Sequence, residues 1–596
     1  AEIASVEPEI VTGSRVYTEL FEIPAPTYVI TAEEITLSGA ADLGAILEQK
    51  VPGITLKRKS GVAQESQLWL RGFTNQVLVL NDGIPLYRSS IGADFGTVDF
   101  RSFPLENIER VEIVKGGGSA LYGSMAAGGV INIITKKPEK YDGKVLTEAG
   151  SSGWRRYYVS AGAGGDKIMA NAWYERTEEG RKRLFYDSFF LRRFDSLGFK
   201  GDAYGLALQG NRWVFHAVSG EFGFQYLTGN WETGLDDVND ERKSFNRFSF
   251  RYDGDSWYLL TGSDTQKYDI LTGEGNYYKD SAFTAEFGGR TILGDALAAW
   301  GIFYRSEDTG FFDGGESTVV SRSRYNVAPF LEVSYPVGDW VVDLGLRYEI
   351  WRQENNDYEE LIPKVSLQRQ GAEGNMLYLS ASRVFAMPTF YELYADLDWP
   401  LYFYKMKGNP DLKPERGWSY EAGLKTSGVN PWHVGVFYTV LDDKIKYKFG
   451  SPNTYINVAE FRSYGIEVSK KWRLGPRWVL GLCGTWQAPE EKETPLSGWT
   501  RSNGIPGWEI GGSLEYRDGP WTAELTLNWA GDRAGDLGWD PEDYVIVDLS
   551  VSWRSGADRI TLSLSNLFNE PYTFNSNGWF FYGPERGFRL SWERRF

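Results

Sequence analysis

The sequence predicts an all-β transmembrane fold: a 22-stranded antiparallel β-barrel with an N-terminal α+β plug domain inside its lumen. Three observations predict it. First, from about Tyr141 onward the chain is almost wholly alternating. In "WTAELTLNW" Trp521, Ala523, Leu525, Leu527 and Trp529 share one face, against Thr522, Glu524, Thr526 and Asn528. In "YVIVDLSVSW" Val545, Val547, Leu549, Val551 and Trp553 oppose Tyr544, Ile546, Asp548, Ser550 and Ser552. A period of two sustained over about nine or ten residues is the length of a tilted membrane-crossing strand. Second, the composition is rich in aromatics (15%, with 23 Trp and 35 Tyr) and glycine (68), yet mean hydropathy is only −0.38. Strands that face lipid and lumen alternately average out in this way. Third, tight polar turns recur at Asp166, Gly210, Gly254, Gly294, Gly338, Glu373, Asn430, Pro476, Gly519 and Ala557, roughly forty residues apart. Ten turns on one side separate eleven hairpins, an even 22 strands.

Residues 1 to about 138 have a different texture. "TAEEITLSGAADLGAILEQKVPG" predicts a helix capped by Thr31, with Glu34 three residues on and Pro52-Gly53 as its stop. Short strands follow in "GITLK", "SQLWLRG" and "QVLVLNDGIPL", where Asn81-Asp82-Gly83 signals a hairpin. "VEIVKGGGSALYGSMAAGGVINIITKKP", Val111 to Pro138, then places two strands around a glycine-rich bend. A barrel of this size has a lumen wide enough to need filling, and a domain of this length suits the task.

The same stretch is no nucleotide cradle. Lys115 precedes its glycines, whereas a P-loop lysine follows them, and "GGVINIIT" continues as strand where a dinucleotide fold needs a helix. The two histidines, His216 and His433, lie just after tight turns with no evident catalytic partner. Cys483 is alone and reads as a strand residue. The chain is therefore predicted not to be an enzyme, and nothing in it calls for a nucleic-acid partner. The long loops offer binding surface instead. The second, "EEGRKRLFYDSFFLRRFD", carries Arg181, Lys182, Arg183, Arg192 and Arg193 among aromatics; it suits an anionic ligand or lipopolysaccharide phosphates, or is a solvated loop. The third holds "DDVNDE", where Asp236, Asp237 and Asp240 are candidate calcium ligands, with solvated acid as the alternative. No cofactor is required. The seventh and eleventh loops are long and aromatic, and they supply the candidate ligand contacts Tyr402, Tyr404, Trp579 and Tyr582.

Several of these stretches resemble the TonB-dependent outer-membrane transporters. "RVEIVKGGGSALYGSMAAGGVINIITKKP" is similar to that family's plug-terminal motif, "LWLRGF" and "VLVLNDGIPL" to other plug motifs, and "FAMPTFYELY" with "GNPDLKPERGWSYEAG" to its paired barrel motifs. "NLFNEPY" and the terminal Phe596 resemble the last hairpin and its assembly signal. "PEIVTGSR" is similar to the energy-coupling box, here Pro8, Glu9, Ile10, Val11 and Thr12.

The resemblance implies residues 1–20 as a periplasmic coupling segment, 21–138 as plug and 139–596 as barrel, in a mature chain of the bacterial outer membrane after signal-peptide removal. It implies active import: TonB, driven by its inner-membrane energising complex, pairs with the box and pulls on the plug. An extended box suits strand addition to a partner's sheet edge, and Pro8 lies just before the paired segment. The partners implied are TonB, a small metal chelate, outer-membrane lipid with lipopolysaccharide, and an accessory surface lipoprotein.

The plug wording most resembles the cobalamin-carrying branch, so the expected ligand is cobalamin or a related corrinoid, with a ferric siderophore next, then haem or another chelate. By that resemblance two plug loops meet the ligand, with Lys59, Gln64, Ser66, Tyr87, Arg88, Ser90, Asp94 and Phe95 as candidate contacts. That branch has calcium-binding aspartates in the second extracellular loop, where this chain is basic. No His lies between Phe385 and Leu412 or in the plug, which disfavours haem. Few Met and Cys disfavour copper, and two His disfavour zinc. Arg71, Arg110 and Glu112 are charged plug residues that need partners inside a barrel; Glu392 and Glu421 are the expected barrel acids.

Overall fold

The computed structural model describes Thr12 and residues 22–596, except 59–65, 74–75, 87–97, 188–191, 230–235, 272–276, 313–317, 355, 372–373, 400–403, 459, 536–539 and 577–578. Some strand residues beside these gaps are described by backbone alone.

Two bodies are nested. The outer one is a closed antiparallel barrel of 22 wall strands, from Tyr141–Gly150 to Gly587–Arg595, and these two strands pair to shut it. The Phe596 amide donates to Gly143 O at 2.8 Å and finishes the seam. Nine of the ten tight turns fall where the sequence places them, for instance between Tyr277–Leu293 and Ala296–Phe312 and between Pro506–Asp518 and Trp521–Arg533, and the tenth, at Glu373, lies outside the described residues. Trp opens six of the strands that follow these turns: Trp213, Trp257, Trp340, Trp432, Trp478 and Trp521. This is the aromatic girdle expected at a membrane interface.

The alternation sorts the two faces. Leu525 and Leu527 are about 40% exposed toward lipid, while Glu524 and Thr526 between them are buried toward the lumen. Apolar atoms outside and polar atoms inside reverse the usual soluble pattern. No helix among the described residues is long and apolar enough to cross a membrane; crossing is by strands.

Wall height is uneven. Thr318–Val337 has 20 residues and Arg192–Gly210 has 19, but Tyr141–Gly150 and Arg155–Gly164 have 10 each. Only about 9–11 residues are needed to cross, so one side of the wall stands well above the bilayer. The second loop is thus largely strand, with Lys182–Asp187 and Arg192–Gly210 paired. Lys182–Asp187 also pairs with Trp579–Tyr582 of the last loop. That bridge spans the low side of the wall. "DDVNDE" likewise opens the strand Asp236–Asp253 and is not a loop.

The inner body is the plug. Its strands are β1 (Thr27–Thr31), β2 (Ile54–Arg58), β3 (Ser66–Leu70), β4 (Val77–Asn81), β5 (Ile84–Pro85), β6 (Ile108–Lys115) and β7 (Gly129–Thr135). One sheet has the order β1-β6-β7-β4-β5, with β4 and β7 parallel; β2 and β3 form a separate hairpin. The plug core joins Ile30, Ile46, Leu47, Val79, Val111 and Ile131 to Val384, Leu441 and Phe461 of the wall. The expected single helix is two: α1 (Ala32–Ser38) and α2 (Leu43–Lys50). The Thr31–Glu34 capping box is present, but Gly39 (φ 60°) closes α1 and Asp42 caps α2. A β-carbon on Gly39 would lie 2.4 Å from Ser563 Oγ, so the turn can approach the wall closely only as glycine.

Candidate functional site

The candidate functional site is the contact between plug and wall, where buried charges of the two bodies meet. Its centre starts from a two-residue turn. Leu70 and Phe73 exchange both backbone hydrogen bonds at 2.9 Å, which puts Arg71 (φ 53°) and Gly72 (φ 83°) in left-handed conformations. A turn with two positive φ values is the tight hairpin type, and it drives the Arg71 side chain into the wall. Arg71 Nη1 donates to Glu421 Oε1 at 2.7 Å. Its Nε and Nη2 donate to the two oxygens of Glu467 at 2.9 and 3.0 Å, the bidentate geometry of a strong guanidinium–carboxylate pair. The guanidinium also stacks 4.1 Å from the centre of the Phe437 ring.

Lys115, at the end of β6, donates to Glu467 at 3.1 Å and to Pro52 O. Two cations thus meet two carboxylates, and all four side chains are almost wholly buried. Burial pulls the Lys115 ammonium below its ordinary range, against the pull of Glu467. Burial also works against Arg71, but Glu467 and Glu421 outweigh it and raise its pKa.

The glycines after Lys115 make this fit. A β-carbon on Gly116 (φ 88°) would overlap Glu421 Oε1 at 1.5 Å, and one on Gly123 (φ 81°) would meet Glu349 Oε1 at 2.2 Å.

The other charged plug residues behave differently from expectation. Arg110 pairs within the plug, with Glu112 at 2.8 Å and with Glu109. Strand neighbours on β6 satisfy it, so the expected wall partner is not what holds it. Glu392 accepts from Thr389 N at 2.7 Å and Thr389 Oγ1 at 2.9 Å, closing a capping box on the short wall-loop helix Phe390–Tyr394. Its motif position marks the start of that helix.

Sequence reasoning missed three contacts. Glu467 is one: it is a charge in mid-strand on the lumen side, between the lipid-facing Ile466 and Val468, and that placement was the available signal. The second is Asp82, on the β4–β5 turn (φ 51°). Its carboxylate accepts from Thr135 N at 2.7 Å, Thr135 Oγ1 at 3.0 Å and Ser249 Oγ at 3.2 Å, and lies 3.0 Å from His216 Nδ1. Burial would raise its pKa, but His216 and Thr135 outweigh it and hold Asp82 below the usual carboxylate range. The third is Glu106, 2.6 Å from Arg156 Nη2 and 3.9 Å from Lys144 Nζ of the wall. Burial again opposes ionisation there, yet Arg156 and Lys144 bring the Glu106 pKa down to about 2.

The two histidines are therefore committed: His216 to Asp82, and His433 Nε2 to Tyr378 OH at 2.8 Å. Cys483 lies 3.6 Å from Gly511 O.

At the other end of the plug, Thr12 is buried and donates to Glu112 Oε2 at 2.5 Å, while Asn132 Nδ2 donates to Thr12 Oγ1 at 2.9 Å. Pro8, Glu9, Ile10 and Val11 lie outside the described residues, as do Lys59, Gln64, Tyr87, Arg88, Ser90, Asp94, Phe95 and Tyr402. Ser66 opens β3, Tyr404 opens a short loop strand, and Trp579 and Tyr582 bound the bridging strand; of these four only the Tyr582 side chain is described, and it is half-buried. Among the described residues no three His, Cys, Asp or Glu side chains cluster as metal ligands.

A 22-stranded barrel filled by an internal, ion-paired plug is the architecture of a plugged outer-membrane barrel. Comparison with known families agrees. The description "TonB dependent receptor-like, beta-barrel" matches residues 146–569, and "TonB-dependent Receptor Plug Domain" matches residues 19–130. The chain belongs to the TonB-dependent receptor family, as a TonB-dependent outer-membrane transporter rather than an enzyme. It is similar to the vitamin B12 transporter BtuB of Vibrio vulnificus, 26% identical over 96% of this chain and 93% of the relative, and to that of Photobacterium profundum, 24% identical over the same shares. Among solved structures it is similar to the FrpB iron transporter of Neisseria meningitidis (TM-score 0.78, 14% identity, 95% of this chain and 99% of that one). It is also similar to the ferric enterobactin receptor PfeA of Pseudomonas aeruginosa (TM-score 0.76, 16% identity, 96% and 98%). These two show the fold.

Proposed function

We propose that the protein imports cobalamin or a related corrinoid. The observation that carries this reading is the end-to-end likeness to vitamin B12 transporters: 24–26% identity over 96% of the chain, plug and barrel together. The iron-transporter structures match in fold at 14–16% identity. The committed state of both histidines supports the exclusion of a histidine-held haem.

In this reading the ligand settles between the tall wall, the bridging strand pair and the two plug loops that hold Lys59, Gln64, Ser66, Tyr87, Arg88, Ser90, Asp94 and Phe95. TonB pairs with Pro8 to Thr12 from the periplasm. Thr12, held by Glu112 and Asn132, is where pull enters the plug sheet. The ion pairs around Arg71 and Asp82 are what that pull must overcome or bypass.

A ferric siderophore is the second reading. The basic second loop, with Arg181, Lys182, Arg183, Arg192 and Arg193, favours it, because an anionic chelate would be drawn there. Titration of the purified protein with cyanocobalamin, beside a panel of ferric siderophores, separates the two. Saturable cobalamin binding is expected; saturable binding of a siderophore alone moves the assignment.

A further inference from the structure

A single buried amide joins the Thr12 end of the plug to one of its wall pins. Asn132, on β7, is 1% exposed. Its Oδ1 accepts from Gly83 N at 3.1 Å, and its Nδ2 donates to Thr12 Oγ1 at 2.9 Å. The Gly83 contact fixes which way the amide points, because a backbone N–H can only donate. Nδ2 must then face Thr12, whose own hydroxyl hydrogen goes to Glu112 Oε2 at 2.5 Å. Donation runs one way, from Gly83 through Asn132 and Thr12 to Glu112.

Asp82 (φ 51°) and Gly83 (φ 82°) are the two left-handed residues of the β4–β5 turn. A turn of this type has little freedom, so the seat of Gly83 sets where the Asp82 carboxylate points. That carboxylate accepts from Thr135 N on β7 at 2.7 Å. It also reaches Ser249 Oγ at 3.2 Å and His216 Nδ1 at 3.0 Å, on the paired wall strands Asp236–Asp253 and Trp213–Gly229. Thr12 and the wall thus lie at the two ends of one hydrogen-bonded path, with Asn132 in its middle.

We propose that Asn132 is a positioning residue that couples the seating of Thr12 to the Asp82–His216 pin. A carboxamide is planar, so its two ends turn together. With Thr12 withdrawn, the buried Nδ2 loses its acceptor, and a buried donor left without one is unfavourable. The amide turns to recover a partner, and Oδ1 swings off Gly83 N. The turn loosens and Asp82 lets go of the wall. The use of this coupling in import rests on the proposed entry of pull at Thr12. The coupling itself needs neither TonB nor a chelate.

The full chain labelled with 15N-histidine tests it. The sequence has two histidines, so two imidazoles report: His216 on the path, and His433, bonded to Tyr378, off it. In Thr12→Val, which removes the hydroxyl and keeps the shape, the His216 signal is expected to shift and the His433 signal to stay. The Gly83 and Thr135 amides should exchange about tenfold faster, the scale of one buried hydrogen bond. The Gly123 and Met125 amides, bonded to Ser119 O and Phe385 O, should keep the parent rate. Thr12→Ser should restore the parent behaviour, and in an Asn132→Leu background Thr12→Val should add nothing further. If Asn132→Leu does not assemble, the comparison of Thr12→Val with Thr12→Ser decides. An unmoved His216 signal in Thr12→Val, equal acceleration of all four amides, or an undiminished effect of Thr12→Val in Asn132→Leu overturns the proposal. None of these measurements involves TonB or cobalamin, so such a result leaves the import reading standing.

Discussion

At the scale of single residues, the plug is held by buried charges that the turns aim. Gly116 is the sharpest case, since a side chain there would occupy the space of the Glu421 carboxylate. Gly116→Ala should displace Glu421 from Arg71 and cost about 2–4 kcal/mol, from the strained positive φ and the broken pair together. Protease access to the plug, compared in the variant and the parent, reads this directly; unchanged protection would count against the account. Glu106 gives a pH dependence. Its folded pKa of about 2 lies below the unfolded carboxylate value of about 4.3. Its contribution is therefore complete above pH of about 4.3 and is lost as pH falls toward about 2. Plug amide exchange should accelerate over that window, and Glu106→Gln should flatten the change. These residues were only partly legible in sequence. Arg71 and Glu421 sat in recognisable motifs. Asp82 sat in one too, but as a hairpin residue with no sign of its wall partner; Glu467 and Glu106 did not, because partners such as Arg71 and Glu467, 396 residues apart, meet only once the barrel closes.

At the scale of elements, the strands are set by period and the turns by glycine and proline. Lipid-facing and lumen-facing positions differ in what they tolerate. Leu525→Arg, on the lipid face, should cost about 2–4 kcal/mol near the bilayer midplane and reduce assembled protein in the membrane. Leu525→Ile should assemble normally, and equal yields of the two variants would contradict the assigned face. Turn positions were legible because tight turns need polar and glycine residues whatever surrounds them. Strand tops were not, because the long strands continue past the membrane with polar residues that read as loop. "DDVNDE" and "EEGRKRLFYDSFFLRRFD" are both of this kind. The helix break at Gly39 is local, a left-handed glycine cap followed by Asp42 as the next N-cap, and it was overlooked because the apolar spacing runs on through both helices.

At the scale of the whole molecule, the plug is pinned to the closed wall at Arg71, Lys115, Asp82 and Glu106, and Thr12, the coupling end in the proposed function, is bonded to Glu112 and Asn132. Import requires that pull at the coupling end reach those pins and that a ligand outside be admitted when they give way. The most direct measurement is uptake of labelled cyanocobalamin by cells in which this protein is the sole outer-membrane route for it, with and without TonB, and with residues 8–12 deleted. The account predicts saturable uptake that is lost in both the TonB-deficient cells and the deletion. Saturable uptake of a ferric siderophore with no uptake of cobalamin, or cobalamin uptake indifferent to TonB, would contradict it.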